Sequence, residues 1–229
     1  NAMGLLKDNE YTQAISILMT IADYKDSEEL LRENVNKLPK CIWTGGIWMI
    51  GLKTDGTVLI SEEGNCNAYD VSTWKNITTI VTAEHNKEGH IVGLKSDGTV
   101  LTAGTNIYGE GNTDAWTNIV DISALHGYTV GLKSDGTVIA TGMNGFGQCN
   151  LSGWTDVVEV IAGEKYVVGI KSDGTVLATG NNDSGQCDVR DWKDIIAIKT
   201  QNDQTIGLKS DGTVVATGRN DNGQCDVTD

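Results

Sequence analysis

Residues 171–189 read KSDGTVLATGNNDSGQCDV, and 38 positions later the chain writes almost the same phrase, KSDGTVVATGRNDNGQCDV, over 209–227. Related phrases open at Gly51, Gly93, Gly131, Gly169 and Gly207, at spacings of 42, 38, 38 and 38. From each of the first four glycines a tryptophan follows 23 residues later: Trp74, Trp116, Trp154 and Trp192. A fixed period of roughly 20–50 residues marks a solenoid, propeller or array, in which each unit buries its apolar face against its neighbours.

Each unit reads as β-strands. In YVVGIK-SDG-TVLATG two β-prone runs flank a turn whose glycine supplies a positive φ. The turn recurs at Gly56, Gly98, Gly136, Gly174 and Gly212, each preceded by aspartate. A third strand is predicted in IVDISAL (119–125), VVEVIAG (157–163) and IIAIKTQ (195–201). No helix-period segment interrupts these units, and short strands on a 38-residue period favour a propeller.

The phase of the repeat suggests how the array closes. Residues 36–229 hold five whole periods but start and stop mid-unit, so the last unit is expected to lack an IIAIKTQ-type strand that CIWTGGI (41–47) would supply. The predicted fold is mainly β: a five-bladed propeller over 37–229, closed by N- and C-terminal strands sharing a blade. Part of a six- or seven-bladed ring is the alternative.

The residues GLKSDGTVLATG followed by Asn-x-x-Gly-Gln-Cys resemble the regulator of chromosome condensation (RCC) repeat family, over about 190 residues and in five copies. The short period is most similar to bacterial members, among them propeller-type secreted inhibitors of β-lactamase. The resemblance implies a propeller presenting its loops to a protein partner. The family's eukaryotic founder promotes nucleotide exchange on a small nuclear GTPase, but the matching residues are the shared scaffold and not the exchange surface. Seven blades are usual in that family, and five repeats are present here.

The front of the chain differs. Asn1-Ala2 before Met3 reads as the remnant of a cleaved tag. Residues 3–36 read as a helical hairpin: Tyr11, Ala14, Ile15 and Leu18 form an apolar stripe, and Asp26 with Glu29 forms a capping box. The segment resembles part of a tetratricopeptide array, a second adaptor or linker.

Composition narrows the partner. With 28 Gly and a single Pro, Pro39, the chain is rich in tight turns. A net charge of −14 opposes nucleic-acid binding, which draws on Lys and Arg to release counterions. No stretch reaches the ~20 apolar residues of a membrane helix, so no membrane insertion is expected. Cys149, Cys187 and Cys225 stand in register in Gly-Gln-Cys triplets, while Cys41 and Cys66 match no such position. Neighbouring blades would hold register positions within the ~7 Å of a disulfide only almost on the ring axis. The register cysteines are therefore expected to be small buried side chains. Five unpaired thiols favour a reducing, cytoplasmic compartment.

No catalytic, metal or cofactor motif emerges. The Asn-Asp-Gly loops at 181–185 and 220–223 match turn chemistry better than a calcium loop, which ends in a bidentate Glu. The register tryptophans are expected to pack between blades, with sugar-stacking platforms as the alternative. His90 shares its slot with Trp48, Tyr128, Tyr166 and Gln204, a variable position that reads as structural. His85 lies in TAEHNKEGH (82–90), where the second unit carries four extra residues, and an exposed, mobile loop is expected there.

The chain is thus expected to be a non-catalytic protein-interaction module, with a lectin-like propeller as the alternative. Candidate partner-binding residues are Tyr108, Phe146, Glu62, Glu63 and His85, from rim segments where the repeats diverge. Phe146 is the single phenylalanine of the chain.

Overall fold

The computed structural model describes residues 39–44, 49–60, 69–85 and 88–227. The hairpin expected over 3–36 lies outside the described residues, as do Glu62 and Glu63. The described strands form five three-stranded sheets, here called blades. The first holds β1 (Pro39–Thr44), β2 (Met49–Lys53) and β3 (Val58–Ile60), and the second β4 (Ile77–His85), β5 (Glu88–Lys95) and β6 (Val100–Gly104). The third comprises β7 (Ile119–Leu125), β8 (Tyr128–Lys133) and β9 (Val138–Gly142). The fourth comprises β10 (Val157–Ala162), β11 (Tyr166–Lys171) and β12 (Val176–Gly180), and the fifth β13 (Ile195–Gln201), β14 (Gln204–Lys209) and β15 (Val214–Gly218). The chain divides after Thr78 into two units, the first holding β1–β3 and the first two residues of β4, the second the rest of β4 and the strands that follow.

Each blade is made of three strands consecutive in the chain, which corrects the expected phase. IIAIKTQ pairs with QTIGLK as the first strand of the last blade, and CIWT is likewise the first strand of the first blade. The last blade therefore owns the strand it was expected to borrow. The TAEHNKEGH segment is also corrected. Its four extra residues go with longer strands, β4 having nine residues and β5 eight, against seven and six in β7 and β8.

The turns explain the Ser-Asp-Gly signature. In the third blade Asp135 Oδ1 accepts from the Thr137 amide at 2.9 Å and from its hydroxyl at 2.6 Å. The same pair of bonds recurs at Asp55, Asp97, Asp173 and Asp211. These bonds hold the Asp135 carboxyl below its ordinary range. The following glycine does two jobs. Gly136 has φ +79°, and its carbonyl accepts the amide of Val157, the first residue of the next blade, at 3.0 Å.

That joint is repeated. Ile77 donates to Gly56, Ile119 to Gly98 and Ile195 to Gly174, each at 3.0 Å. The residue before each donor, Asn76, Asn118, Asp156 or Asp194, has φ between 59° and 61°. Asn and Asp tolerate this left-handed conformation better than other L-residues. The carbonyls of Asn118, Asp156 and Asp194 meanwhile accept from Ser134, Ser172 and Ser210, in each residue's own blade. One left-handed residue thus ties two turns together.

Apolar packing follows the joints. Val92, Leu94 and Val100 of the second blade meet Trp116, Ile119 and Ile122 of the third. Val130 and Leu132 meet Val157 and Val160, and Val168 and Ile170 meet Ile195 and Ile198. Each such side chain contributes roughly 1.5–3 kcal/mol on burial. The first strands carry a bulge, as between Val157 and Glu159, which leaves Val120, Val158 and Ile196 exposed. No helix of the described residues is long and apolar enough to cross a membrane.

A Cβ added at Gly174 would lie 3.1 Å from Asp194 Cα, whereas one at Gly212 would meet nothing within 4 Å. Both glycines have positive φ, so alanine costs each about 1–2 kcal/mol. Gly174→Ala must also push backbone aside, at roughly 1–3 kcal/mol more. Urea unfolding is expected to find Gly174→Ala clearly the worse of the two. Equal losses would mean that the joint does not bear on stability.

Candidate functional site

In the second to fifth blades the third strand leads into a loop that clasps itself. In the third blade Asn144 Oδ1 accepts from Cys149 N at 2.8 Å, and its Nδ2 donates to Asn150 Oδ1 at 3.0 Å. Asn106, Asn182 and Asn220 make the matching bonds. Inside the clasp, buried Gln148 accepts the amide of Phe146 at 3.0 Å. Glu110 holds Tyr108 at 2.7 Å, Gln186 holds Ser184 at 3.0 Å and Gln224 holds Asn222 at 2.8 Å. The loop is therefore a fixed mount for one variable residue: Tyr108, Phe146, Ser184 or Asn222. These loops are turn structures, and their Asn side chains are spent on loop hydrogen bonds.

Two of the four mounts carry aromatics, and both rings are largely exposed, at 54% for Tyr108 and 45% for Phe146. Ile107, beside Tyr108, is more exposed still. Each ring lies over the turn between the first and second strands of the next blade. A Cβ at Gly127 would lie 2.8 Å from the Tyr108 ring and 3.9 Å from Met143 Cε. The matching residue under Phe146 is Lys165, whose Nζ stands 5.1 Å from the ring centroid, within cation–π range. His126 Nδ1 and Glu164 Oε1, in the same two turns, lie 3.9 Å apart. Ile107, Tyr108, Met143, Phe146 and Lys165 thus make a mixed apolar and basic patch with the His126–Glu164 pair beside it.

Tyr108 and Phe146 are candidates that the sequence offers, whereas His126, Glu164 and Lys165, which stand about twenty residues downstream in another repeat, are brought to these turns by the fold. The 19-residue offset shared by Tyr108–Gly127 and Phe146–Lys165 is the signal that could have found them. His85 ends β4, and its side chain lies outside the described residues.

The variable slot of His90 is structural. Tyr128, wholly buried, donates toward the carbonyls of Gly163 and Tyr166 in the next blade at 2.6 and 2.7 Å. The Tyr166 hydroxyl donates to Gln204 in the fifth blade. Burial pushes the Tyr128 phenol well up and that of Tyr166 to about 12, which keeps both as donors. His90 Nε2 reaches Thr129 Oγ1 at 2.8 Å. Because that hydroxyl donates to the Glu110 carbonyl at 2.8 Å, Nε2 is the His90 donor, leaving Nδ1 as a buried acceptor with no partner among the described residues.

Trp74 and Trp116 are buried and Trp154 and Trp192 half-buried, which is packing and not a set of open stacking platforms. Three of the indoles explain the glycine that opens the following phrase: a Cβ at Gly131 would lie 2.7 Å from Trp116, at Gly169 2.9 Å from Trp154 and at Gly207 2.8 Å from Trp192. Cys149, Cys187 and Cys225 are free thiols, only partly buried, that donate to the carbonyls of Met143, Asn181 and Arg219. Burial pushes Cys149 and Cys187 up to about 11, so they stay protonated.

No protein-family model matches the chain, and no curated protein does. Solved structures do. Prp20p of Saccharomyces cerevisiae superposes with a TM-score of 0.62 at 17% identity, over 82% of this chain and 59% of its own. The ectodomain of the Physcomitrella patens receptor kinase CR4 gives 0.60 at 15% identity, over 77% and 52%. Human WBSCR16 gives 0.58 at 12% identity, over 79% and 62%. The fold is an RCC1-like propeller fold. The chain spans between half and two thirds of each of these proteins.

Burial holds the His90 imidazole down to about 4, with Glu110 pulling the other way. The folded state then binds fewer protons than the unfolded chain, whose histidine titrates near 6.5. Stability is therefore expected to fall as pH drops from about 6.5 to about 4, by up to roughly 3 kcal/mol from this residue. His90→Tyr, the residue of the neighbouring slots, should flatten that window in urea titrations at stepped pH. An unchanged slope would contradict the burial of a neutral imidazole.

Proposed function

We propose that this chain is a non-catalytic protein-interaction module whose contact surface is the patch around Tyr108 and Phe146. The carrying observation is the mount: two exposed aromatic rings held by clasped loops at the same register of successive blades. Rigid exposed aromatics lose little entropy on binding, and tyrosine is enriched among residues that dominate interfaces. Lys165, Glu164 and His126 provide a polar border.

The solved relatives support a protein partner. The Prp20p structure is described with its binding to Gsp1p and histones, and yeast RCC1 (Prp20) has been solved bound to Kap60. A lectin-like reading would need repeated accessible platforms. It has less support, because the register tryptophans are packed between or under strands and the exposed aromatics occupy only two mounts.

The test is capture on immobilised protein from a native lysate, followed by titration of the purified partner. Tyr108→Ala with Phe146→Ala is expected to weaken binding at least tenfold while leaving the unfolding transition in place. Ser184→Ala and Asn222→Ala together should change it less than twofold. Unchanged affinity in the aromatic pair, or specific sugar binding on a glycan array, would reject the reading.

A further inference from the structure

The Phe146 loop holds a buried donor with no acceptor. Gln148 is wholly buried, and its Oε1 accepts the Phe146 amide at 3.0 Å, which fixes the two ends of the side-chain amide. Its Nε2 then has no partner among the described residues. Buried side-chain polar atoms are rarely left so.

The next blade shows where the acceptor belongs. Gln186 is buried and accepts the Ser184 amide in the same way, and its Nε2 donates to Asp203 Oδ1 at 3.2 Å. Asp203 stands 17 residues after Gln186, between β13 and β14, and Lys165 stands 17 residues after Gln148, between β10 and β11. The two turns are equivalent in backbone as well. The Asp203 carbonyl accepts from Arg219 at 2.8 Å and the Lys165 carbonyl from Asn181 at 2.9 Å, each donor directly following its third strand. One blade thus places a carboxylate where the other places an ammonium. Lysine has three donors and no acceptor, so it cannot serve Gln148.

Lys165 is itself without a counter-charge. Its Nζ stands 5.1 Å from the Phe146 ring centroid and belongs to no ion pair among the described residues. The Tyr108 mount does not share this arrangement. There Glu110 stands in the place of Gln148 and Gly127 in the place of Lys165, so neither the amide nor the ammonium is present.

We propose that the Phe146 mount binds the carboxylate of a single Asp or Glu side chain of the partner, in the place that Asp203 fills one blade on. One oxygen accepts from Gln148 Nε2 and the other pairs with Lys165 Nζ. This rests on the reading of the Tyr108–Phe146 patch as the contact surface and gives that surface a polar specificity. Gln148 Nε2 is shut off from solvent, so the carboxylate enters as the Lys165 side chain, flexible along its four-carbon stem, swings off the ring. A backbone carbonyl would satisfy the amide but leave the ammonium unpaired. The net charge of −14 and Glu164 beside Lys165 favour one acid among neutral residues over an acidic run.

The test is an NMR titration of the full chain with isotope-labelled glutamine side chains. The probe is the peptide acetyl-Leu-Asp-Leu-amide, and acetyl-Leu-Asn-Leu-amide is the control. The aspartyl peptide is expected to shift the Gln148 side-chain amide saturably, to leave that of Gln186 in place, and to bind about fivefold or more tightly than the control, since charge-assisted hydrogen bonds are the stronger. Lys165→Met keeps the stem without the charge and should abolish most of that preference. Lys165→Asp supplies the acceptor from within, so it should raise the urea midpoint and lose the response to the aspartyl peptide. A Gln148 amide that neither peptide moves, or that both move alike, overturns the proposal, as does a preference that Lys165→Met retains. Peptide discrimination with no partner captured by the Tyr108–Phe146 patch would sink the contact-surface reading alone. Phe146-dependent capture with no discrimination between the peptides would sink this inference alone.

Discussion

The structure turns on one hydrogen bond and the residue that makes it possible. The amide that opens each blade from the second to the fifth donates to the turn-glycine carbonyl of the blade before, and the preceding Asn or Asp must be left-handed for it to do so. The glycine is needed for its own positive φ and because a side chain there would strike the next blade's backbone. Sequence signature, backbone geometry and blade packing are thus one constraint. The Asp-Thr bonds inside the turn hold the glycine in place, and the tryptophan two residues before the left-handed position fills the wedge above it.

Around this joint the apolar core is distributed. From the second blade to the fifth, the second strand of one blade packs against the first strand of the next, so burial is pairwise between neighbours and stability is close to a sum of joints. The phenols of Tyr128 and Tyr166 add a second tether, donating from the third blade to the fourth and from the fourth to the fifth. Function, in this reading, occupies what the joints leave free. The clasped loops are fixed by Asn and Gln, and only the residue at each tip is at liberty to vary.

Much of this was legible in the sequence. The period, the turn glycines and the packing role of the tryptophans follow from spacing alone, and the divergent tips pointed to Tyr108 and Phe146. The blade boundary did not follow, because a periodic text has no intrinsic start and strand pairing decides which three runs share a sheet. TAEHNKEGH reads as a loop by its polar residues, yet its described residues lie in the longer strands β4 and β5. Lys165 was hidden because it reaches the Phe146 ring from a neighbouring repeat, and the His126–Glu164 pair because it joins turns of two repeats, proximities that propensity does not encode.

The joint is tested most directly by native-state amide hydrogen exchange. The amides of Ile119, Val157 and Ile195 are predicted to exchange only through opening of the blades, at rates matching the slowest β8 and β11 amides and far below those of Asp135 and Asp173 in the exposed turns. Exchange of those three amides as fast as the turn aspartates would contradict the account, since blades could then pack without the bond on which it rests.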